Sequence, residues 1–309
     1  RKPKREAEAR TKQILEQFYQ KTQGEITRSF LSRMITRLES EQSVKEYLDI
    51  MDHRKTEQLI DTLDKVEQNR KECYIREFSI EHFHDSKVFE TLIPKICKIF
   101  REENEELTGF ENEEILAEYQ IYKTPGYVYM KGNVQIYSAG KQAADISAFP
   151  EGIAVAVGSE EDVPDICPDQ TIDKVFTIEN LTSFYRFKQE HSLVIYLGGY
   201  HNHSRRNLLM QIYQKLPDAQ YYHFGDLDAG GFYILEHLKR KTGIPFQMFQ
   251  MDIETLKKYE DYAKPLTEND KKRLMQLEKM ELPDKERKLI TYMLQKGIKL
   301  EQECISESQ

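Results

Sequence analysis

Between residues 172 and 242 three short apolar runs alternate with longer amphipathic stretches, and that alternation narrows the possible folds more than any other feature of the chain. The runs are "DKVFTIEN" (173–180), "SLVIYL" (192–197) and "AQYYHF" (219–224). Each is too short for a buried helix and is rich in β-branched and aromatic residues, so each reads as a strand. "LTSFYRFKQE" after the first run is helical or looped. "SRRNLLMQIYQKL" predicts a helix, with Ser204 as its cap and Leu208, Leu209, Ile212, Tyr213 and Leu216 on one face. "GGFYILEHLKRK" predicts another, burying Phe232, Leu235 and Leu238. Strands alternating with helices at this spacing form right-handed βαβ units around a parallel sheet, which makes the fold class α/β.

In an open parallel sheet, ligands bind beyond the carboxyl ends of the strands. Asp226 and Asp228 stand at the carboxyl end of the third run, and Glu179 at that of the first. If those two strands are neighbours, three carboxylates converge with no Lys or Arg interleaved among them. Such a group repels itself and drives its own pKa values up. A divalent cation resolves the conflict, and hard oxygen ligands select Mg²⁺ or Mn²⁺. An ion there acidifies bound water and stabilises charge on a phosphate in transfer. Gly225 keeps the turn clear of a side chain. Gly230 and Gly231 open the next helix, where free N–H groups attract anions. "GGYHNHSRR" (198–206) adds His201 and His203, and it offers Arg205 and Arg206 as phosphate contacts on the same sheet edge. Read blandly, a D-x-D is a surface turn or a helix cap, and Glu301 and Glu303 in the tail are solvated charges.

Residues 5–70 carry apolar side chains three and four apart, which predicts a helical bundle or an arm that packs on a partner. Asp85 or Ser86 caps a helix expected to run to about Phe100. "YVYMKGNVQIYS" has Lys131-Gly132-Asn133 between alternating runs, a hairpin signal. A helix followed by a small hairpin suits a winged-helix module. Pro150 and "GSEEDVPDICPDQ" mark a linker or surface loop. The resulting division is a helical arm (1–78), a winged-helix-like domain (79–168) and an α/β domain with C-terminal helices (169–309). Near the end, Thr267 and Asp270 stand at capping-box spacing, and a further helix starts at Pro283 and stops at Gly297. The net charge of −8 argues against wholesale wrapping of nucleic acid but permits a local basic groove. No apolar run approaches the roughly 20 residues of a membrane span. Four scattered cysteines, without a C-x-x-C pair, suggest reduced thiols in a cytoplasmic protein. Residue 1 is Arg rather than Met, which leaves targeting at the natural N-terminus open.

"FTIEN" followed by "GDLDAGGF" resembles the Toprim nucleotidyl-transfer domain, whose signature is a Glu after one strand and a D-x-D after a later one. The longer string "TIENLTSF … YLGGY … YYHFGDLDAGGFYILEHL … KLEQE" resembles the nuclease subunit of the Wadjet anti-plasmid systems, a relative of the topoisomerase VI A subunit. The resemblance spans about residues 80–305 and is strongest at 174–240 and in the tail. It implies a homodimeric Mg²⁺- or Mn²⁺-dependent endonuclease that cleaves double-stranded plasmid DNA supplied by an SMC-type motor complex. It carries the Toprim glutamate onto Glu179 and the D-x-D onto Asp226 and Asp228. It also implies a further ligand from Glu301 or Glu303, and a DNA phosphate contact at Ser86 and Lys87. The topoisomerase relatives cut with a tyrosine flagged by a basic residue and paired tyrosines. No such string occurs here: Tyr119, Tyr122, Tyr127 and Tyr129 are expected to pack on strands. Hydrolysis without a phosphotyrosine intermediate follows, and a topoisomerase-like transesterase or a silent DNA-binding scaffold subunit is the alternative.

Overall fold

The computed structural model describes residues 2–123, 126–157, 164–198 and 203–305. Its contacts separate two compact units, Arg1–Thr124 and Pro125–Gln309.

The first unit is helical: α1 (Lys2–Lys21), α2 (Glu25–Glu39), α3 (His53–Gln68), α4 (Ile75–Phe83), α5 (Val88–Glu103) and α6 (Asn112–Glu118). Two short parallel strands, β1 (Cys73–Tyr74) and β2 (Ile121–Tyr122), complete it. The three-and-four spacing is what packs: Ile26, Phe30, Leu31 and Met34 of α2 and Leu59, Ile60, Leu63 and Val66 of α3 are buried. The buried Glu67 carboxylate accepts hydrogen bonds from the N–H groups of Ile26 (2.8 Å) and Thr27 (2.8 Å) and from the Thr27 hydroxyl (2.7 Å). A negative charge thus sits on the positive end of α2. Neither Asp85 nor Ser86 is the cap of α5. The helix begins after Lys87, whose N–H donates to Asp85 Oδ1 at 2.7 Å in the turn before it.

The second unit holds β3 (Gly126–Lys131), β4 (Val134–Ser138), β5 (Lys141–Asp145), β6 (Ile153–Val157), β7 (Asp165–Pro168), β8 (Lys174–Ile178), β9 (Ser192–Tyr196), β10 (Gln220–Phe224) and β11 (Gln247–Met248). Helices α7 (Leu181–Arg186), α8 (His203–Lys215) and α9 (Ala229–Thr242) alternate with β8–β11. α10 (Ile253–Lys258), β12 (Lys264–Pro265), α11 (Glu268–Leu277), α12 (Asp284–Lys296) and β13 (Ile298–Lys299) follow. The hairpin expected across Lys131-Gly132-Asn133 does not form. β3 pairs with β6 and β9 in a six-stranded sheet, whereas β4 pairs with β5 and β7 in a separate three-stranded one. Gly132, at φ 137°, is the corner between the sheets, where a Cβ would fall 2.5 Å from the Ser192 carbonyl oxygen. The actual hairpin is β4–β5, turning through Ala139 and Gly140, both at positive φ. It lies in the second unit while α5 lies in the first, so the elements read as one winged-helix module fall in different units. The expected linker supplies β6 and β7; residues 158–163 within it are outside the described residues.

The six-stranded sheet has the order β11-β10-β8-β9-β3-β6, with β8 to β11 parallel to one another and β3 antiparallel to both of its neighbours, β9 and β6. Strands buried on both faces explain the near-continuous apolar runs. Val175, Leu193, Ile195 and Tyr221 pack with Leu208, Leu209 and Ile212 of α8 and Leu235 and Leu238 of α9. Phe176, Ile178, Val194 and Phe224 pack on the other face with Phe184 of α7 and Leu289, Ile290 and Met293 of α12. The expected tail signals hold: Thr267 and Asp270 form a capping box, and Gly297 ends α12 at φ 70°. Among the described residues no helix is long and apolar enough to cross a membrane, and Cys73, Cys97, Cys167 and Cys304 are free thiols.

His237 of α9 is 4% exposed, and burial, reinforced by Arg206, Lys241 and Arg240, pushes its pKa down to about 3. Between an ordinary imidazole pKa of about 6.5 and that value, the unfolded chain carries a proton that the folded chain does not. Stability therefore falls as pH falls through this window. From this group alone, acidification from pH 7 to 5 is expected to cost about 2 kcal/mol. His237→Gln should flatten that slope in urea titrations; an unchanged slope would contradict the assignment.

Candidate active site

Leaving β8 the chain crosses through α7 to β9 on one side; leaving β10 it passes through α9 to β11 on the other. The gap between the carboxyl ends of β8 and β10 is therefore the topological switch point, where an open parallel sheet has room for a ligand. β8 and β10 pair in register, Thr177 with His223 and Ile178 with Phe224. Glu179 and Gly225 come next on each strand, and the Glu179 N–H donates to the Phe224 carbonyl at 3.1 Å. Side chains alternate along a strand, so Thr177 and Glu179 share a face with His223 and Gly225. With no side chain at Gly225, the Glu179 carboxyl folds across it and Oε1 reaches His223 Nε2 at 2.8 Å. A Cβ on Gly225 would lie 2.1 Å from that oxygen. Only 9% of the Glu179 side chain is exposed.

Asp226 and Asp228 follow in the turn into α9. Asp228 caps the helix: its Oδ1 accepts the Gly231 N–H at 2.9 Å. The bland reading of the D-x-D thus holds for one oxygen of Asp228, and the Gly231 N–H is not free for an anion as the sequence suggested. A Cβ on Gly231 would fall 2.1 Å from the Asp226 carbonyl oxygen, so this glycine lets α9 pack directly on the turn.

The tail reaches the same place. Leu227 and Leu300 form an isolated antiparallel bridge with N–H···O distances of 2.9 and 3.1 Å. Gln302, fully buried, then staples the two strand ends together. Its Nε2 donates to the Phe224 carbonyl (2.9 Å), its Oε1 accepts the Asn180 N–H (2.9 Å), and its own N–H donates to Asp226 Oδ1 (2.7 Å). Glu303 accepts from Asn180 Nδ2 at 2.5 Å, whereas Glu301 turns to Lys264 at 2.6 Å. Of the two tail glutamates, Glu303 is the one held beside the strand ends. Gln302→Ala removes the partner of the Asn180 N–H and one of the two donors to the Phe224 carbonyl, and is expected to lower stability by about 1–2 kcal/mol. An unchanged denaturant midpoint would contradict the stapling role.

The site is an electronegative one short of compensation. Burial, then the charge of Asp228, raises the Glu179 carboxyl well above the ordinary range, against the Asp226 N–H that donates to it. Burial raises Asp226 to about 7; the Gln302 N–H opposes this, and Glu179, Asp228 and Glu303 add to it. His223 goes the other way, down to about 3, through burial and the positive charge of Lys239. Among the described residues no three His, Cys, Asp or Glu side chains are gathered closely enough to hold a metal ion as they stand. The chemistry of the donors nevertheless fits a hard divalent ion: neighbouring carboxylates, partly desolvated and mutually repelling.

The remaining candidates separate. Arg205 Nη1 donates to the Leu197 carbonyl at the end of β9. Arg206 is 7% exposed, buried near His237, so it is not the surface phosphate contact its place in the sequence suggested. His201 and the side chain of His203 lie outside the described residues. Ser86, half-buried, and Lys87, exposed, belong to the first unit. Three participants, His223, Asn180 and Gln302, do not stand out in the sequence: strand register and a tail contact more than 70 residues distant bring them in.

Residues 161–309, which contain every carboxylate of the site, match the family described as "Wadjet protein JetD, C-terminal". The C-terminal part of the chain is thus similar to the JetD family. The Wadjet protein JetD of Bacillus cereus (strain Q1) is 28% identical over 263 residues, which covers 84% of this chain and 63% of that protein. The chain therefore spans less than two thirds of the length of this curated JetD relative.

Proposed function

We propose that this chain is a Mg²⁺- or Mn²⁺-dependent DNA endonuclease of the Toprim type, acting as the nuclease subunit of a Wadjet anti-plasmid system. The observation that carries the reading is the placement of Glu179 and the Asp226–Asp228 pair on either side of the switch point between β8 and β10, close enough for their charges to raise the pKa values of Glu179 and Asp226. The similarity of residues 161–309 to the JetD family supports the defence context. Double-stranded plasmid DNA is the substrate, an SMC-type motor complex delivers it, and the subunit works in the cytoplasm as a homodimer.

Glu179, Asp226 and Asp228 would hold the ion, with Glu303 from the tail as the further ligand. A divalent ion bound there supplies positive charge for the phosphate in transfer and acidifies water. The protein's own groups do the rest. Glu179 Oε1 and His223 Nε2 share one proton across 2.8 Å, and burial favours the neutral pair. Glu179 is thereby set to act as general base or acid. Gln302 fixes Asp226 and closes the floor of the site. Backbone contacts from Arg205 and, in the first unit, from Ser86 and Lys87 position DNA without reading its sequence. This reading keeps hydrolysis: burial drives the Tyr119 hydroxyl pKa up and Tyr129 packs edge-on against Tyr196 and Phe184, whereas Tyr127 is exposed rather than packed as expected. Supercoiled plasmid incubated with the protein and Mg²⁺ or Mn²⁺ is expected to be cut to products with free ends. A protein–DNA adduct that survives denaturation would overturn the hydrolytic mechanism, and no metal-dependent cutting even with the partner subunits present would overturn the nuclease.

A further inference from the structure

We propose that His223 is a positioning residue for Glu179: anchored from behind by Thr177, it holds the glutamate across Gly225 so that its carboxylate is presented to an ion shared with Asp226 and Asp228. The inference rests on the metal-dependent reading above and deepens it.

His223 is completely buried in the middle of a six-stranded sheet. Both ring nitrogens are engaged. Nδ1 lies 2.9 Å from the Thr177 hydroxyl, which also reaches the Tyr222 carbonyl at 3.2 Å, and Nε2 lies 2.8 Å from Glu179 Oε1. Packing alone does not explain this residue. The same face of β10 carries Tyr221, set among Leu, Ile and Val side chains, and an apolar side chain at 223 would avoid burying an imidazole and a hydroxyl. What the polar chain provides is control of a long side chain. A free glutamate has three rotatable bonds, and ordering it costs roughly 1.5–2 kcal/mol. Here the register sets Thr177 beside His223 and Glu179 beside Gly225, and the absence of a side chain at 225 opens the path between ring and carboxyl. One face of two adjacent strands thus supports the carboxylate, and the Asp226 N–H donates to it from the next turn. Partners behind a metal ligand fix its orientation, and their loss typically weakens metal affinity 10–100-fold.

The test is Mn²⁺ binding by the full chain at constant pH, followed by electron paramagnetic resonance of the free ion. The variants are Asp226→Ala, His223→Leu, His223→Gln and Thr177→Val, with thermal melts alongside. Asp226→Ala is expected to abolish binding. His223→Leu, which fills the volume but bonds nothing, is expected to weaken binding 10–100-fold. His223→Gln, whose amide nitrogen can reach Glu179, should recover most of that loss, and Thr177→Val should weaken binding severalfold with the ring still in place. Wild-type affinity in both His223→Leu and Thr177→Val, with Asp226→Ala inactive in binding, would overturn the positioning role alone. Wild-type affinity in Asp226→Ala would overturn the metal-site reading, and this inference with it. Should His223→Leu fail to fold, Thr177→Val decides: wild-type affinity there overturns the role.

Discussion

Asp226→Ala and Glu179→Ala are each expected to bring plasmid cleavage below about 1% of the parent rate while leaving the fold intact, since removal of one group that stabilises developing charge is felt on the scale of 10²–10³. The fold survives because neither side chain holds the sheet together. The strands are joined by their own ladder and by the Gln302 side chain, whose bonds go to the backbone at Phe224 and Asn180. Asp226→Ala gives up only the contact with the Gln302 N–H and removes a carboxyl that burial and its neighbours disfavour as an anion. In metal-free buffer the variant should melt no lower than the parent. Cutting of supercoiled plasmid in Mg²⁺ or Mn²⁺, with far-ultraviolet circular dichroism alongside, checks both halves. Parental cutting by either variant would place the chemistry elsewhere.

Gly225→Ala and Gly231→Ala are expected to be damaging for different reasons. At 225 the added methyl would meet the Glu179 carboxyl oxygen at 2.1 Å. A side chain can swing aside, so the expected outcome is a folded protein whose glutamate is displaced, with cleavage down about 100-fold, comparable to losing the glutamate itself. At 231 the methyl would meet the Asp226 carbonyl oxygen at 2.1 Å, and backbone cannot step aside. Overpacking of this kind costs about 1–3 kcal/mol or more, so Gly231→Ala should lower the melting temperature as well as activity. Gly230→Ala is the control. Its nearest neighbour would be an Asp228 oxygen at 3.1 Å, which a small rotation relieves. Equal stability for the two helix glycine variants would contradict this packing.

The parallel sheet was legible because its strands are buried on both faces, and such strands announce themselves as continuous apolar runs between amphipathic helices. The placement of Glu179 and of Asp226 and Asp228 at the ends of adjacent strands followed from strand order alone, once β8 and β10 are neighbours. Contacts that depend on register or on distant chain were not legible. His223 reads as one more residue of an aromatic strand until Thr177 is found opposite it. Gln302 reads as a spacer between two glutamates, yet it is the buried residue, and the glutamates flanking it turn in different directions. Lys131-Gly132-Asn133 misled because a glycine between alternating runs signals both a tight hairpin and a close approach to a neighbouring strand; Ser192 makes it the latter. Arg206 misled because a basic pair at a helix start looks solvent-facing, whereas the helix face at 206 turns inward.

Anomalous diffraction from crystals of the protein grown or soaked in Mn²⁺ tests most directly whether residues 47 and 49 positions apart in the chain serve one ion. The expected result is a single strong peak beyond the ends of β8 and β10, bonded to oxygens of Glu179 and Asp226 at about 2.0–2.2 Å. A map with no such peak, or one in which Asp226 takes the ion while Glu179 stays turned to His223 out of reach, would contradict the shared site and the nuclease chemistry built on it.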